Sequence, residues 1–158
     1  MKDELTCVLD TEYSDYFDDV DKDSIFLLNE GAAKDVWNRK IDYGSSSFFS
    51  LPNDCWIAAS KSISIGRWIE AYNKDDAKIV EKLLRDAVDW SDDWYIYFLA
   101  RSKVVFRMQW NVFLRHWDSL IAIEDDCPIV IVESAPRQEA ILFRPIGDIL
   151  KKEKHIEA

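Results

Sequence analysis

The chain has 158 residues, of which 48% are hydrophobic and 13% aromatic, and its 30 acidic and 20 basic residues give a net charge of −10. A chain of this size and composition buries a core without help from a metal or a disulfide. Its negative charge favours basic partners and disfavours nucleic acid and anionic membranes, so we predict no nucleic-acid or membrane partner, although acidity can also serve solubility alone.

Three cysteines, Cys7, Cys55 and Cys127, are widely spaced and form no C-x-x-C motif. An odd number at such spacing indicates free thiols in a reducing compartment. The N-terminal residues are too polar for a signal peptide, and no apolar run approaches the ~18 residues of a membrane span. We therefore expect a cytoplasmic protein.

The acids are concentrated in residues 1–23, where nine acidic residues face two lysines. Tyr13, Tyr16, Phe17 and Val20 recur at the spacing of one helix face. The pattern predicts a short helix with the acids on its outer side.

Two longer helices follow. The first is predicted over 31–42, with Asn29 as its N-cap. The second and clearer one is predicted over 74–89, where Asn73 is a candidate N-cap and Asp76 occupies the position of a capping box. Its apolar residues form a continuous stripe, which indicates a helix packed on a core.

The second half of the chain is rich in predicted strands. Two β-rich runs separated only by Arg101 and Ser102 indicate a hairpin. A final short helix is predicted over 146–150, and 151–158 has the composition of a solvated tail. The predicted strands of this half lie at 95–100, 103–109, 128–132 and 140–143, and a short first strand is predicted earlier in the chain, over 5–9.

Helices followed by an antiparallel sheet is the α+β pattern. We therefore predict an α+β fold in which N-terminal helices pack on a C-terminal, mainly antiparallel sheet of about four to five strands. The chain shows no internal repeat and no linker, so we expect a single domain over 1–158.

One block of the second half carries a resemblance. A W-x-V-F-x-R-x-W pattern is followed by an acidic pair and a strand led by proline. The positions are Trp110, Val112, Phe113, Arg115, Trp117, Asp125, Asp126 and Pro128. This block resembles a family of small, uncharacterised bacterial proteins, and the similarity spans roughly 31–133. The resemblance implies a compact domain in a bacterial cytoplasm and no particular activity.

Chemistry-bearing motifs are missing from the sequence. His116 and His155 are the two histidines, and no nucleophile, phosphate-loop or zinc motif occurs. The run Glu124-Asp125-Asp126 could offer oxygen ligands to a divalent ion, but a polar turn between buried segments explains it better. We predict no catalytic residue, no metal site and no cofactor, and hence no enzyme.

Trp90 and Trp94 flank the acidic pair Asp92 and Asp93. Aromatic side chains beside acids suit a protein interface better than a nucleic-acid surface, which needs basic neighbours. Ordinary packing of the two tryptophans is the alternative.

These features predict an immunity-type protein that neutralises a cognate, basic, nuclease-like toxin domain by filling its cleft with carboxylates. The predicted partner-binding residues are Glu12, Asp15, Asp18, Asp19, Asp21, Trp90, Asp92, Asp93 and Trp94. A non-catalytic cytoplasmic adaptor is the first alternative, and a divalent-metal enzyme of unrecognised type is the second.

Overall fold

A computed structural model describes residues 4–17, 21–123 and 126–154. Its strands form one open antiparallel sheet in the order β1-β2-β5-β4-β6-β7-β8-β3. The strands are β1 (Leu5–Cys7), β2 (Phe26–Leu28), β3 (Ser62–Arg67), β4 (Tyr95–Arg101), β5 (Val104–Gln109), β6 (Ile129–Val132), β7 (Glu139–Phe143) and β8 (Asp148–Glu153).

Five α-helices lie in the described part of the chain and cover both faces of this sheet. None of these helices has the length and apolarity that crossing a lipid bilayer requires. The helices are α1 (Glu30–Lys40), α2 (Trp56–Ala59), α3 (Ile69–Asn73), α4 (Ala77–Ala87) and α5 (Trp110–Ile123).

The sheet separates two hydrophobic cores. Successive side chains of a strand point to opposite faces, and β4 shows this directly. Ile96 and Phe98 join the core under α3, α4 and α5, whereas Tyr97 and Leu99 join the core under α1 and α2. The molecule therefore has a helix layer, a sheet layer and a second helix layer.

The predicted fold is wrong in its strand number and its layering. Eight strands lie in the described residues in place of the expected four to five, and two of them, β2 and β3, come from segments that were not predicted as strands. β1 falls within the short first strand expected over 5–9. β2 has three residues, too few to display an alternating pattern. β3 lies at the sheet edge and is mostly exposed, so burial gives it no apolar signature.

The helix predicted around Tyr13, Tyr16 and Phe17 is also wrong. This segment contains only a short 3-10 turn, Ser14–Tyr16, and residues 18–20 lie outside the described part of the chain. The later helix starts at Ala77 rather than at residue 74. Asp75 interrupts it with a φ of 56°, a left-handed conformation that no helix interior accommodates.

Two local predictions are confirmed. The β4–β5 hairpin forms, with a register shift between Leu99 and Arg101. Asn29 caps α1, since its Oδ1 accepts a hydrogen bond of 2.8 Å from the backbone N–H of Ala32. Both depend on neighbours in sequence, which is why the sequence predicts them.

The predicted final helix over 146–150 is wrong, because β8 begins at Asp148 and pairs with both β7 and β3. Lys151 and Lys152 therefore belong to the sheet and not to a solvated tail. Lys152 is 6% exposed, and its Nζ donates to the Ser60 carbonyl at 2.7 Å. Residues 155–158 lie outside the described part of the chain.

Candidate functional site: an acidic groove beside α5

The N-terminal acidic segment is fastened to the layer that contains α5. The Tyr13 ring meets Phe106 edge-on, with 5.3 Å between ring centroids. Phe17 is buried, and its ring lies 6.0 Å from that of His116. Tyr16, between them, points outward and is 45% exposed.

A second attachment joins Asp21 to α5. Asp21 Oδ2 lies 3.0 Å from His116 Nε2 and 2.9 Å from Arg115 Nη2. Asp21 has a φ of 70°, which Asp adopts more readily than most residues, and His116 kinks α5 with non-helical torsion angles. Burial raises the pKa of Asp21, but hydrogen bonds from His116 and Arg115 outweigh it, so the pKa lies below its usual value.

An open groove of about 430 Å³ lies next to this attachment. Its walls come from the N-terminal segment, the turn between α3 and α4, and the second half of α5. We call it the acidic groove. It is lined by Tyr16, Tyr72, Asp75, Asp118, Ser119 and Ala122.

Each polar wall of the groove is held by local structure. The Tyr72 ring rests edge-on against Trp68 at 5.9 Å and is held where the residue remains 39% exposed. Asp75 stands in the tight turn between α3 and α4. Asp118 Oδ1 accepts a hydrogen bond of 3.0 Å from the Ser119 backbone N–H.

The two tyrosine rings and two carboxylates of the acidic groove are chemical groups that bind cations. Carboxylates pair with guanidinium and ammonium groups, and tyrosine faces attract the same cations. The acidic groove therefore suits an arginine or lysine side chain of a partner better than any anion.

The predicted N-terminal site residues differ in how the structure places them: two are exposed, one is paired with α5, and two lie outside the described residues. Glu12 and Asp15 are exposed on the same segment as Tyr16. Asp21 is engaged with α5, as described above. Asp18 and Asp19 lie outside the described residues.

The predicted tryptophan–aspartate surface is placed differently from expectation. Trp90 is 7% exposed and packs edge-on against Trp110 at 4.8 Å, while Trp94 is half-buried against the same core. Asp92 accepts a hydrogen bond of 2.7 Å from Arg85 Nη1. Asp93 is exposed. The sequence shows acids around two aromatic rings but not the inward direction of Trp90.

A polar cluster on the opposite face of the sheet is the second candidate. Arg107 donates to both oxygens of Glu133, at 2.5 and 3.2 Å. Its guanidinium lies 3.7 Å from the centroid of the Tyr95 ring. Lys40 Nζ donates to the Glu133 carbonyl at 2.7 Å, so the cluster ties α1 to β5 and to the end of β6.

The pKa values of this cluster are displaced in several directions. Burial and the neighbouring Glu133 raise the pKa of Tyr97 to about 12. A hydrogen bond from Arg107 lowers the pKa of Glu133 despite burial, and burial lowers the pKa of Lys40. Displaced values often mark functional sites, but ion-pair networks produce them too. Because Arg107, Glu133 and Tyr97 satisfy one another, we assign the cluster a structural role.

The sequence candidates for chemistry are dispersed. Glu124 and Asp125 lie outside the described residues, and Asp126 lines a different pocket together with Trp68 and Phe143. His116 faces Asp21 and Phe17. His155 is outside the described part of the chain.

Sequence reasoning missed three of the four side chains that define the acidic groove: Tyr72, Asp75 and Asp118. They are separated along the chain and meet only because α3, α4 and α5 pack together. No local pattern signals such a meeting. Tyr16 lies in a segment that was predicted, but the expected helix would have turned its ring inward.

Comparison with known proteins gives one match. A family model described as "Protein of unknown function (DUF2947)" matches residues 11–150, a span that contains the acidic groove. This confirms that the chain resembles an uncharacterised domain family, over a longer span than the predicted 31–133, whereas the bacterial origin and the W-x-V-F-x-R-x-W motif stay predictions. No curated protein and no solved structure matches the chain.

Proposed function

The chain belongs to the DUF2947 family of proteins of unknown function. We propose that it is a non-catalytic binding protein whose acidic groove receives a basic segment of a partner protein. One observation carries the proposal. The groove brings the exposed rings of Tyr16 and Tyr72 together with the carboxylates of Asp75 and Asp118.

Two further properties support this function. The net charge of −10 attracts a cationic partner from a distance and speeds its association. The contacts of Tyr13, Phe17 and Asp21 hold the N-terminal wall in place before binding. A preorganised wall loses less conformational entropy when a partner arrives.

We propose an immunity-type role as the specific form of this function. A nuclease cleft is basic because it holds phosphate groups, so a carboxylate-lined surface that enters it excludes the nucleic acid. In this proposal the exposed Glu12 and Asp15 extend the acidic groove. Asp18 and Asp19, which lie outside the described residues, stay predicted binding residues. Tyr16 and Tyr72 replace the buried Trp90 as aromatic anchors. The free cysteines favour action in the cytoplasm.

The direct test uses a fluorescent nine-residue arginine peptide as the probe. Its binding to the full chain is measured by fluorescence anisotropy at several salt concentrations. We expect the Asp75→Asn/Asp118→Asn double variant to bind about tenfold more weakly or worse, since each carboxylate offers a charge-assisted hydrogen bond. Affinity for the unaltered chain should fall as salt rises.

The matched control is Asp54→Asn/Asp86→Asn, which removes two charges from exposed positions outside the groove. Equal weakening in the two double variants would show that net charge alone drives binding, and the groove would be rejected as the site. Tyr16→Ala/Tyr72→Ala should also weaken binding without changing its salt dependence.

The immunity-type form has its own test. Where a secreted protein ending in a small basic domain is encoded beside this chain, that domain is co-expressed with the chain, and cell growth is followed. Rescue by the unaltered chain and loss of rescue in Asp75→Asn/Asp118→Asn would support it. Stable binding without any effect on growth would favour the adaptor role.

A further inference from the structure

A second pocket, of about 350 Å³, lies at the C-terminal side of α1 and has the opposite character to the acidic groove. Lys34 and Asn38, one helical turn apart on α1, form one wall. The loop from Tyr43 to Ser46 and the turn at Ser102 and Lys103 form the others. Within the described residues no carboxylate lines this pocket, although the chain as a whole is strongly acidic.

Both lysines are available to a ligand. Lys34 is exposed and makes no ion pair with any residue that the structure describes. Lys103 Nζ lies 3.5 Å from Glu30 Oε1, with both side chains more than half exposed (57% and 62%). Such an exposed pair contributes little, so Lys103 can turn to an anion at small cost.

The Ser45 hydroxyl has its donor available to a ligand. Trp37 Nε1 donates a hydrogen bond of 3.0 Å to Ser45 Oγ. Because an indole N–H only donates, Ser45 uses Oγ as the acceptor and keeps its own proton for another partner.

Ser102 supplies a second hydroxyl group to the pocket. The residue is only 7% exposed but lines the pocket. Its backbone N–H is bonded to the Ser46 carbonyl at 2.9 Å, whereas its hydroxyl has no hydrogen-bond partner among the described residues. The hydroxyl oxygen is not one of the buried unpaired atoms among the described residues, so it is accessible from the pocket and has its proton available for a ligand.

The loop backbone leaves room for a ligand to approach. Gly44 has a φ of 95°, and a Cβ placed on it would meet no atom within 4 Å. Glycine at such a position lets other groups come close to the main chain. Tyr43, beside it, is 84% exposed and stands at the rim of the pocket.

From these observations we infer that this pocket binds a phosphate monoester, with Lys34 and Lys103 neutralising the dianion and Ser45 and Ser102 donating hydrogen bonds to its oxygens. The inference concerns a different surface from the acidic groove. Either one can therefore fail without affecting the other.

The test is isothermal titration calorimetry of the full chain with phenyl phosphate, and with phenyl sulfate at matched ionic strength. The two probes share the ring but differ in charge, so a site built for a dianion should bind phenyl phosphate several-fold more tightly. Equal binding of both probes, or binding of neither, would overturn the inference.

Lys34→Gln/Lys103→Gln should weaken phenyl phosphate binding at least tenfold, because the two substitutions remove both charge-assisted hydrogen bonds to the phosphate. Lys78→Gln/Lys82→Gln, on the exposed side of α4, is the matched control and should bind like the unaltered chain. The Ser102 side chain makes no hydrogen bond to another described residue of the protein. Ser102→Ala should nevertheless lower the affinity for phenyl phosphate several-fold, because it removes the proposed donor to the ligand. Unchanged affinity in both the lysine variant and Ser102→Ala would also overturn the inference.

Discussion

His116 Nε2 lies 3.0 Å from Asp21 Oδ2, so an imidazole in the middle of α5 meets a carboxylate 95 residues earlier in the chain. An ionised carboxylate only accepts hydrogen bonds, so His116 is the donor. The contact carries a functional consequence. His116 also meets the ring of Phe17, the neighbour of Tyr16, so the same histidine contacts the described chain on both sides of residues 18–20 and supports the N-terminal wall of the acidic groove.

Replacing Asp21 by Asn should destabilise the protein by about 1–3 kcal/mol, because an amide lacks the negative charge that strengthens the hydrogen bonds from Arg115 and His116. Urea unfolding followed by tryptophan fluorescence measures the change. Asp15→Asn, at an exposed position on the same segment, is the control and should leave the free energy of unfolding within about 0.5 kcal/mol. Equal stability of the two variants would contradict the assigned role of Asp21.

The same contact predicts a pH dependence. The pKa of Asp21 is lowered in the folded protein, so its stabilisation is present above the unfolded value near 3.8 and is lost as the pH falls through the folded pKa. The difference in unfolding free energy between the unaltered chain and Asp21→Asn should therefore shrink below about pH 4. Urea unfolding at pH 3 and at pH 6.5 checks this, and a difference that stays constant would be evidence against it.

The sequence predicts those parts of the fold that depend on near neighbours. The cap at Asn29 and the β4–β5 hairpin are of this kind. β8 does not depend on near neighbours. Its charged residues have the composition of a solvated tail, and the residues that pair with them are distant in sequence. Lys151 Nζ pairs with Glu139 Oε2 at 3.0 Å and donates to the Ala87 carbonyl, while Lys152 donates to Ser60. Such distant partners make lysine acceptable in a sheet.

The candidate site was less predictable than the fold for the same reason. Net charge directed attention to the N-terminal segment, and its role in binding stays a prediction, but charge says nothing about which acids are already paired. Asp21 and Asp92 are paired with Arg115 and Arg85, respectively. Asp75 contributes to the groove because its left-handed backbone turns the chain between α3 and α4.

The cluster around Glu133 predicts an unusual tyrosine titration. Tyr97 should ionise near its pKa of about 12, whereas the ordinary value for a tyrosine in water is near 10. Because folding raises the pKa of Tyr97, this residue contributes its full stabilisation of the folded protein below the unfolded pKa of about 10. That contribution to the free energy of unfolding is lost as the pH rises from about 10 to 12. Ultraviolet difference absorbance resolves the late-titrating phenol.

Glu133→Gln is the variant for this titration. It removes the negative charge that helps to raise the pKa of Tyr97, so the late phase should move to lower pH. It should not reach 10, because burial, the larger cause, remains. A late phase that survives in Tyr97→Phe would show that another tyrosine is responsible.

The thiols should differ in reactivity. Burial raises the pKa of Cys127 to about 12, and Cys55 is also buried, whereas Cys7 is half-buried and donates to the Lys22 carbonyl at 2.9 Å. Because the thiolate is the reactive form, a disulfide reagent at pH 8 should modify Cys7 first. Mass spectrometry after brief labelling identifies the site. Rapid labelling of Cys127 in the folded protein would contradict its described burial.

Gly147 links the sheet to the acidic groove. Its backbone N–H bonds to the Arg144 carbonyl at 2.9 Å, and its own carbonyl accepts from the Trp68 N–H at 2.8 Å, just before α3. Its φ is 108°, and a Cβ there would collide with Ile69 Cγ2. Gly147→Ala should therefore destabilise the protein by more than the roughly 1–3 kcal/mol of a strained backbone alone.

Gly44→Ala provides the matched comparison, since Gly44 has a similar φ of 95° but no atom within 4 Å of an added Cβ. Urea unfolding should rank Gly147→Ala as the more destabilised variant, and equal destabilisation would mean that the collision with Ile69 is relieved. Because α3 carries Tyr72, Gly147→Ala should also weaken binding of the arginine peptide, whereas Gly44→Ala should not. Peptide binding that remains intact in a folded Gly147→Ala variant would show that the groove does not depend on this turn.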